Sequence, residues 1–406
     1  MDFPTIVIGG GISGITAAIE LAEAGKEVVL IEKAPYLGGK VSGFNNYFPK
    51  LCPPACGLEI NYRRIRNNPR ISFYTGAEIT GIRGKEGDFH LNVKLSARLI
   101  NNLCTSCGLC AEVCPVERLS GSVLQVPEKA AYIPDGLSFP MKYTIDENVC
   151  KKNECAKCLE VCSFDAIHLD AAAAEIELHA NRIIIATGWQ PYDASRLETY
   201  LYEEAADVLT NLEFEHWLAA NKRENKKFAR PSDGKKPESI AFIQCAGSRD
   251  ENHLSYCSTV CCSASIKHAL TLAEMDPALS SEIFYIDLRV TGRNEKLLRK
   301  AEESRSITLT KGKVGRIAQG HPGGPLRLVV EDMVAGIKRE AGFDMIVLAT
   351  GLVPEKALPL IVTGEDGFCL PGQIGGIYPV GSAKRPMDVV SSVKDATAAS
   401  LKAMKV

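Results

Sequence analysis

The chain has 406 residues, of which 46% are hydrophobic and 24% charged, the balance of a globular protein with room for two or three domains. Lys and Arg number 47 against 49 Asp and Glu, a formal charge of −2 that gives no electrostatic case for nucleic acid or an anionic membrane. No stretch approaches the roughly 20 apolar residues that span a bilayer, and the amino terminus lacks the flank and cleavage site of a signal peptide, so a cytoplasmic location is expected.

The first elements predicted are a strand over residues 5–8, a helix over 15–24 and a strand over 26–32, within TIVIGGGISGITAAIELAEAGKEVVLIEK. Between strand and helix, Gly9, Gly11 and Gly14 form G-x-G-x-x-G, with Ile12 and Ser13 as further candidate cofactor contacts between the last two glycines. The first glycine allows the turn, the second lets a pyrophosphate approach the backbone, and the third brings helix against strand. The helix N-terminus then favours negative charge. Glu32 closes the second strand, where an acidic side chain accepts hydrogen bonds from ribose hydroxyls. A plain glycine-rich turn would explain the glycines alone, but not the strand, helix and acidic residue around them.

Cys52 and Cys56 follow as C-x3-C between prolines. A redox disulfide, an extra cluster ligand and a structural role all fit. Residues 98–169 carry a cysteine-dense insertion between FHLNVKLSA and IELHANRIIIATG. Cys104, Cys107, Cys110 and Cys114 have the spacing C-x2-C-x2-C-x3-C-P, the bacterial ferredoxin run whose fourth cysteine serves the other cluster. Cys150, Cys155, Cys158 and Cys162 repeat it with a longer first gap and Ser163 in place of Pro. The expected ligand sets are Cys104, Cys107, Cys110 and Cys162 for one [4Fe–4S] cluster, and Cys150, Cys155, Cys158 and Cys114 for a second. Zinc is the competing metal, since paired C-x2-C units also suit tetrahedral sites.

Further along, KPESIAFIQCAGSRD predicts the first strand of a second Rossmann-like unit whose phosphate-binding glycines are missing. Cys245, Cys257, Cys261 and Cys262 stand there instead, as C-x11-C-x3-C-C. Buried small side chains are the bland reading; a third iron–sulfur cluster is the sharper one. Cys369 reads as structural, and seven scattered histidines read as surface or packing residues.

Several segments resemble FAD-binding flavoproteins with two dinucleotide-binding domains: EKAPYLGGK (32–40), RIIIATGWQP (182–191), DMIVLATGLVP (344–354) and GGIYPVGSA (375–383). The resemblance implies FAD, with Lys33, Gly38, Gly39, Lys40, Ala186, Thr187, Gly188, Gly381 and Ser382 joining the glycine turn in its site. Ser382 takes the place of that superfamily's usual Asp. The fold class expected is therefore α/β, thioredoxin reductase-like, with an inserted two-cluster ferredoxin domain. Its parts are FAD-binding segments at 1–97, 170–236 and 341–406, the insert at 98–169, and a degenerate NAD(P)-type domain at 237–340.

Taken together with QCAGSRDENHLSYCSTVCC and GIYPVGSAKRPMDVVSSVKDATAAS, the sequence resembles the A subunits of heterodisulfide reductases over almost its whole length. Its short form, starting at the flavin motif and carrying CPPACGLEINYRRIRNNPRI, resembles most the A subunits of quinone-interacting membrane-bound oxidoreductases of sulfate-reducing microbes. That resemblance implies a flavin and iron–sulfur electron-transfer role. The implied partners are a related flavoprotein subunit, a membrane subunit handling quinone, and adenylylsulfate reductase as acceptor, with electrons split or merged at the flavin. A stand-alone disulfide or NAD(P)H reductase using Cys52 and Cys56 is the alternative, and a scaffold with purely structural cofactors a third.

Overall fold

Thr5, Ile6, Val7 and Ile8 are all β-branched, the stiff side chains that suit a pleated, buried strand. In the computed structural model, which describes residues 3–120, 127–223, 226–321 and 324–405, Thr5–Ile8 is the central strand of a five-stranded parallel sheet. The spatial order is Ile377–Pro379, Arg182–Ile185, Thr5–Ile8, Val28–Glu32, Ile71–Thr75. Alternation decides which side chain meets which layer. Val7 and Ile184 pack under helices Ile12–Glu23, Ala55–Asn67 and Val389–Met404, whereas Ile6, Ile8, Ile183 and Ile185 face a three-stranded antiparallel sheet through Ile79, Phe89 and Leu91.

A seven-stranded sheet builds the second domain. Five strands are parallel, in the order Val208–Thr210, Met345–Thr350, Ser239–Ala246, Ser280–Tyr285 and Ile307–Gln319; Leu326–Asp332 and Ile337–Phe343 extend it antiparallel. Two expected boundaries need correction. Met345–Thr350, placed by sequence in the last flavin segment, pairs with Ser239–Ala246 inside this second sheet, and the boundary at 340 falls within strand Ile337–Phe343. Val208–Thr210 and helix Asn211–Arg223 also belong to the second domain, although they lie within 170–236. The physical reason is that MIVLAT is buried at every position. Such a run marks a central parallel strand covered on both faces without saying in which sheet. The chain crosses between the domains at a short antiparallel ladder of Trp189–Pro191 with Leu352–Pro354.

The insert hangs from strands Asp88–Leu95 and Ala174–Ala180, paired from Ala174↔Leu95 to Ala180↔Phe89. Its own elements are short: helices Leu109–Glu112 and Lys157–Glu160 and two small ladders. Its core is a handful of side chains such as Leu99, Ile100, Ile145 and Ile167, packed against the thiols of Cys104, Cys114, Cys150, Cys158 and Cys162. A core this small needs a covalent or metal staple to hold a single structure.

Candidate functional site: a flavin cradle beside three thiol groups

The glycine turn is shaped by contacts only glycine permits. Gly9 has φ +109°, and a side chain there would run into the Ala186 carbonyl. Gly14 lets the first helix rest on the strand, for a Cβ there would overlap the Gly9 carbonyl oxygen. Gly11 differs: a Cβ would meet nothing nearer than the Gly39 Cα at 3.9 Å. The protein leaves space above Gly11, where the pyrophosphate of a dinucleotide would approach the backbone.

That space belongs to a cavity of about 1770 Å³, large even for a dinucleotide. Among its walls are Gly9, Gly11, Ile12, Ser13, Glu32, Lys33, Gly39, Lys40, Ala186, Thr187, Gly188 and Ser382. Gly14, Gly38 and Gly381 stand behind the wall. Gly38 (φ +131°) and Gly381 (φ +59°) are backed by the Tyr62 hydroxyl and the Ser13 side chain, which exclude any side chain. The fit to a dinucleotide is therefore good: an open helix N-terminus, close-approach glycines and an acidic residue at the second strand's end.

The side chains at the cavity have specific partners. Glu32 accepts from the backbone N–H of Gly10 at 2.5 Å and of Ala34 at 2.6 Å, and burial raises its pKa. Lys33 turns outward to Glu78 at 2.8 Å. Lys40 lies 5.5 Å from the Trp189 ring centre, its pKa lowered by burial. At the carboxy-terminal turn, where the sequence has Ser382, Asp395 reaches over from helix Val389–Met404 and accepts from Gly381 N–H at 2.9 Å and Lys384 at 2.5 Å.

Sequence reasoning missed a buried ionic group on the same wall. Glu215 accepts from Lys267 Nζ at 2.6 Å and His268 Nε2 at 2.5 Å, and its second oxygen accepts from the Asn45 N–H at 2.9 Å. Burial alone would raise the Glu215 pKa, but the Lys267 ammonium and the His268 bond outweigh it and hold it well below the usual range. Burial lowers the pKa of His268, and its Nδ1 is buried and unpartnered. His216 also lines the cavity, its pKa lowered by burial. The only signal was polar residues on the buried faces of otherwise amphipathic helices.

In the insert, Cys104, Cys107, Cys110 and Cys162 together line one small cavity, with Tyr143 and Phe164. Burial, then Cys104, Cys158 and Cys107, push the Cys110 thiol up to about 12. Burial, then Cys150, raise Cys158, with Cys114 and Cys155 adding to the shift. Thiols gathered so closely resist ionisation unless a cationic centre sits among them. The two runs repeat each other in space. Ser106 N–H donates to Cys104 Sγ at 3.4 Å and Lys152 N–H to Cys150 Sγ at 3.3 Å, both donors at positive φ.

The second domain gathers its own four thiols. Cys245 is the penultimate residue of strand Ser239–Ala246, Cys261 and Cys262 open helix Cys261–Met275, and Cys257 lies in the loop between. Burial first, then Cys262, Cys245 and Cys257, raise the Cys261 pKa. Burial pushes Cys262 up to about 11, with Cys245 and Cys257 contributing. Thr259, at φ +61°, donates its N–H to Cys257 Sγ at 3.4 Å, the same amide-to-sulfur turn as in the insert.

Cys52 and Cys56 join none of these groups. Both lie beside the cavity-lining Tyr47, whose hydroxyl pKa is raised by burial and by the two thiols. Cys56 is exposed in the first turn of helix Ala55–Asn67, and Cys369 is buried in the flavin-domain core.

Comparison with known proteins agrees with this geometry. The FAD-dependent oxidoreductase family model matches residues 5–52, and the 4Fe-4S binding domain model matches residues 97–117. Thioredoxin reductases of Lactococcus lactis and T. acidophilum superpose with TM-scores of 0.54 and 0.52, at 15% and 13% identity, covering 99% of this chain and 98% and 97% of theirs. The fold is thus thioredoxin reductase-like, with an FAD-type dinucleotide cradle and a 4Fe-4S binding motif in one chain. The A subunit of the H(2):CoB-CoM heterodisulfide,ferredoxin reductase of Methanothermobacter marburgensis is 34% identical over 99% of this chain and 64% of its own. The iron-sulfur A subunit of the CoB--CoM heterodisulfide reductase of Methanocaldococcus jannaschii is 33% identical over 98% and 63%. That of the ferredoxin:CoB-CoM heterodisulfide reductase of Methanosarcina mazei is 32% identical over 98% and 52%. The chain belongs to the family of heterodisulfide reductase A subunits, and spans 52–64% of the length of these curated relatives. Among the described residues, no helix is long and apolar enough to cross a membrane.

Proposed function

We propose that this chain is an electron-transfer subunit in which one FAD lies between two iron–sulfur regions. The residues proposed to hold FAD are the glycine turn with Ile12 and Ser13, Glu32 and Lys33, the Gly38–Lys40 loop, Ala186–Gly188, and the Gly381–Ser382 turn. Cys104, Cys107, Cys110 and Cys162 would hold one [4Fe–4S] cluster and Cys150, Cys155, Cys158 and Cys114 the second. Cys245, Cys257, Cys261 and Cys262 would hold a third, a reading supported by the amide-to-sulfur turn shared by Cys257, Cys104 and Cys150. With these groups bound, flavin supplies two-electron chemistry and the clusters one-electron steps.

One observation carries the proposal: the flavin cavity has walls from both thiol-bearing regions. Tyr132, Ile133 and Asp135 of the insert line it, and so do Val260, Ala264 and Lys267 on and next to the helix that begins with Cys261. The chain's own residues clamp the insert to the flavin turn, exclude water from the buried thiols, and hold a charged Glu215–Lys267 pair at the cavity wall.

The partners proposed are a related flavin and iron–sulfur subunit, a membrane subunit reacting with quinone, and adenylylsulfate reductase as soluble redox partner, with peripheral membrane association through those subunits. This rests on the likeness of the CPPACGLEINYRRIRNNPRI segment to the A subunits of quinone-interacting oxidoreductases. Anaerobic purification with flavin, iron and sulfide quantified tests the cofactor assignment. Three cubes give about twelve irons per flavin, whereas about eight would remove the third cluster. Reoxidation of the reduced protein by adenylylsulfate reductase and by a quinone analogue in the assembled complex tests the partners; failure of both removes them.

A further inference from the structure

On the outer face of the antiparallel sheet, four side chains that line neither the flavin cavity nor the thiol cavity of the insert converge. His90 and His179 are directly opposite each other across the Asp88–Leu95 and Ala174–Ala180 strands, with ring centres 4.2 Å apart. One donor atom each from Asp88, His90 and His179 lies within 4.8 Å of the other two, and Glu177 stands beside them. We infer that Asp88, His90 and His179 form a binding site for a divalent transition-metal ion such as zinc.

Three features point to a metal site and not to a merely solvated charged face. The separations are right where they are tightest: His90 Nε2 is 3.4 Å from Asp88 Oδ1, and two ligands about 2.1 Å from a tetrahedral ion stand ~3.4 Å apart. The opposite ring nitrogen is engaged as metal-bound histidines require. His90 Nδ1 is 2.7 Å from Glu177 Oε1, so a proton on Nδ1 leaves the Nε2 lone pair facing Asp88. Glu177 is itself held by Arg83 at 2.8 Å, fixing the ring's orientation. Finally, His179 keeps Nδ1 buried without a hydrogen-bond partner while its ring stacks on Phe3. Two imidazoles and a carboxylate suit zinc and its late first-row neighbours rather than calcium or magnesium. The charge balance agrees, for Asp88 and Glu177 outweigh Arg83.

The location suggests what the ion does. These two strands lead into and out of the cysteine insert, so an ion bridging them would tie its two tethers together. Asp88 is exposed and both histidines are half-buried outside the packed apolar core, so their replacement leaves that core's side chains in place.

The test uses flavin- and cluster-loaded protein in a Cys52→Ser/Cys56→Ser background, cleared with chelator and titrated anaerobically with Zn²⁺ in a calorimeter. One saturable zinc equivalent is expected, lost on His90→Ala or His179→Ala. Glu177→Gln should weaken it about 10- to 100-fold without removing a ligand. Zinc uptake unchanged in both histidine variants, or absent from the parent protein, overturns the inference. A flavin and iron content equal to the parent's confirms that each variant is folded.

Discussion

Leu37 and Phe139 exchange backbone hydrogen bonds, Leu37 N–H donating at 2.8 Å and Phe139 N–H at 3.3 Å. They are a hundred residues apart, one just before the second glycine pair and the other in the cysteine insert. Tyr62 adds to the clamp, its hydroxyl within reach of the Leu37 and Leu137 carbonyls at 3.0 and 2.9 Å, and its ring stacked on Phe139. Tyr62→Phe should lower stability by about 1 kcal/mol, and Phe139→Ala by about 3–5 kcal/mol. Urea unfolding followed through flavin fluorescence measures both, and equal effects would show that the hydroxyl holds the insert as strongly as the ring packing does.

Gly11→Val is expected to abolish flavin binding while leaving the fold intact. A Cβ at this position meets nothing in the protein nearer than 3.9 Å, so the clash expected is with the bound pyrophosphate. Gly39→Ala should be worse for folding, since its Cβ would approach Gly11 Cα to 2.8 Å at φ +57°. Flavin occupancy set beside circular dichroism separates the two. A Gly11→Val protein that stays yellow would displace the cofactor from this cradle.

Cys107→Ala removes one wall of the small thiol cavity, and should reduce iron by about four per chain while flavin stays bound. Cys261→Ser should produce a loss of the same size. Electron paramagnetic resonance of the reduced variants shows which signal disappears in each. Identical spectra from the two variants would mean that the thiol groups are not separate sites.

The Glu215–Lys267–His268 group makes a prediction in pH. Both Glu215 and His268 have folded-state pKa values below their ordinary 4.5 and 6.5. Their contribution is thus fully present above those values and is lost as pH falls, because the unfolded chain takes up protons the native state refuses. Stability should begin to decline below about pH 6.5 and fall more steeply below 4.5. Glu215→Leu leaves the Lys267 charge without its partner and should cost about 3–5 kcal/mol at neutral pH. Urea midpoints measured from pH 4 to 8 check the profile; a Glu215→Leu protein as stable as its parent would show that Lys267 finds another partner.

Local geometry was legible in the sequence where chemistry fixes it tightly. The glycine turn could be read because each of its glycines answers a separate steric demand, and the insert because its cysteine spacing is narrow. The domain boundary near 340 was not, since six buried residues of Met345–Thr350 suit the centre of either sheet. Nor was the ionic group, whose members Glu215 and Lys267 are 52 positions apart and reveal themselves only as polar residues at buried positions. The turn at Cys257 shows the same limit. Its C-x11-C spacing matched no known pattern, yet its amide-to-sulfur bond repeats the insert's.

The insert joins the flavin domain along the paired strands Asp88–Leu95 and Ala174–Ala180, and again at the return segment beneath the glycine loop. Two separated attachments make it a braced beam and not a pendulum. On the electron-transfer role proposed above, charge passing along it would not wait for a hinge to swing, and spacing and driving force would set the pace of delivery.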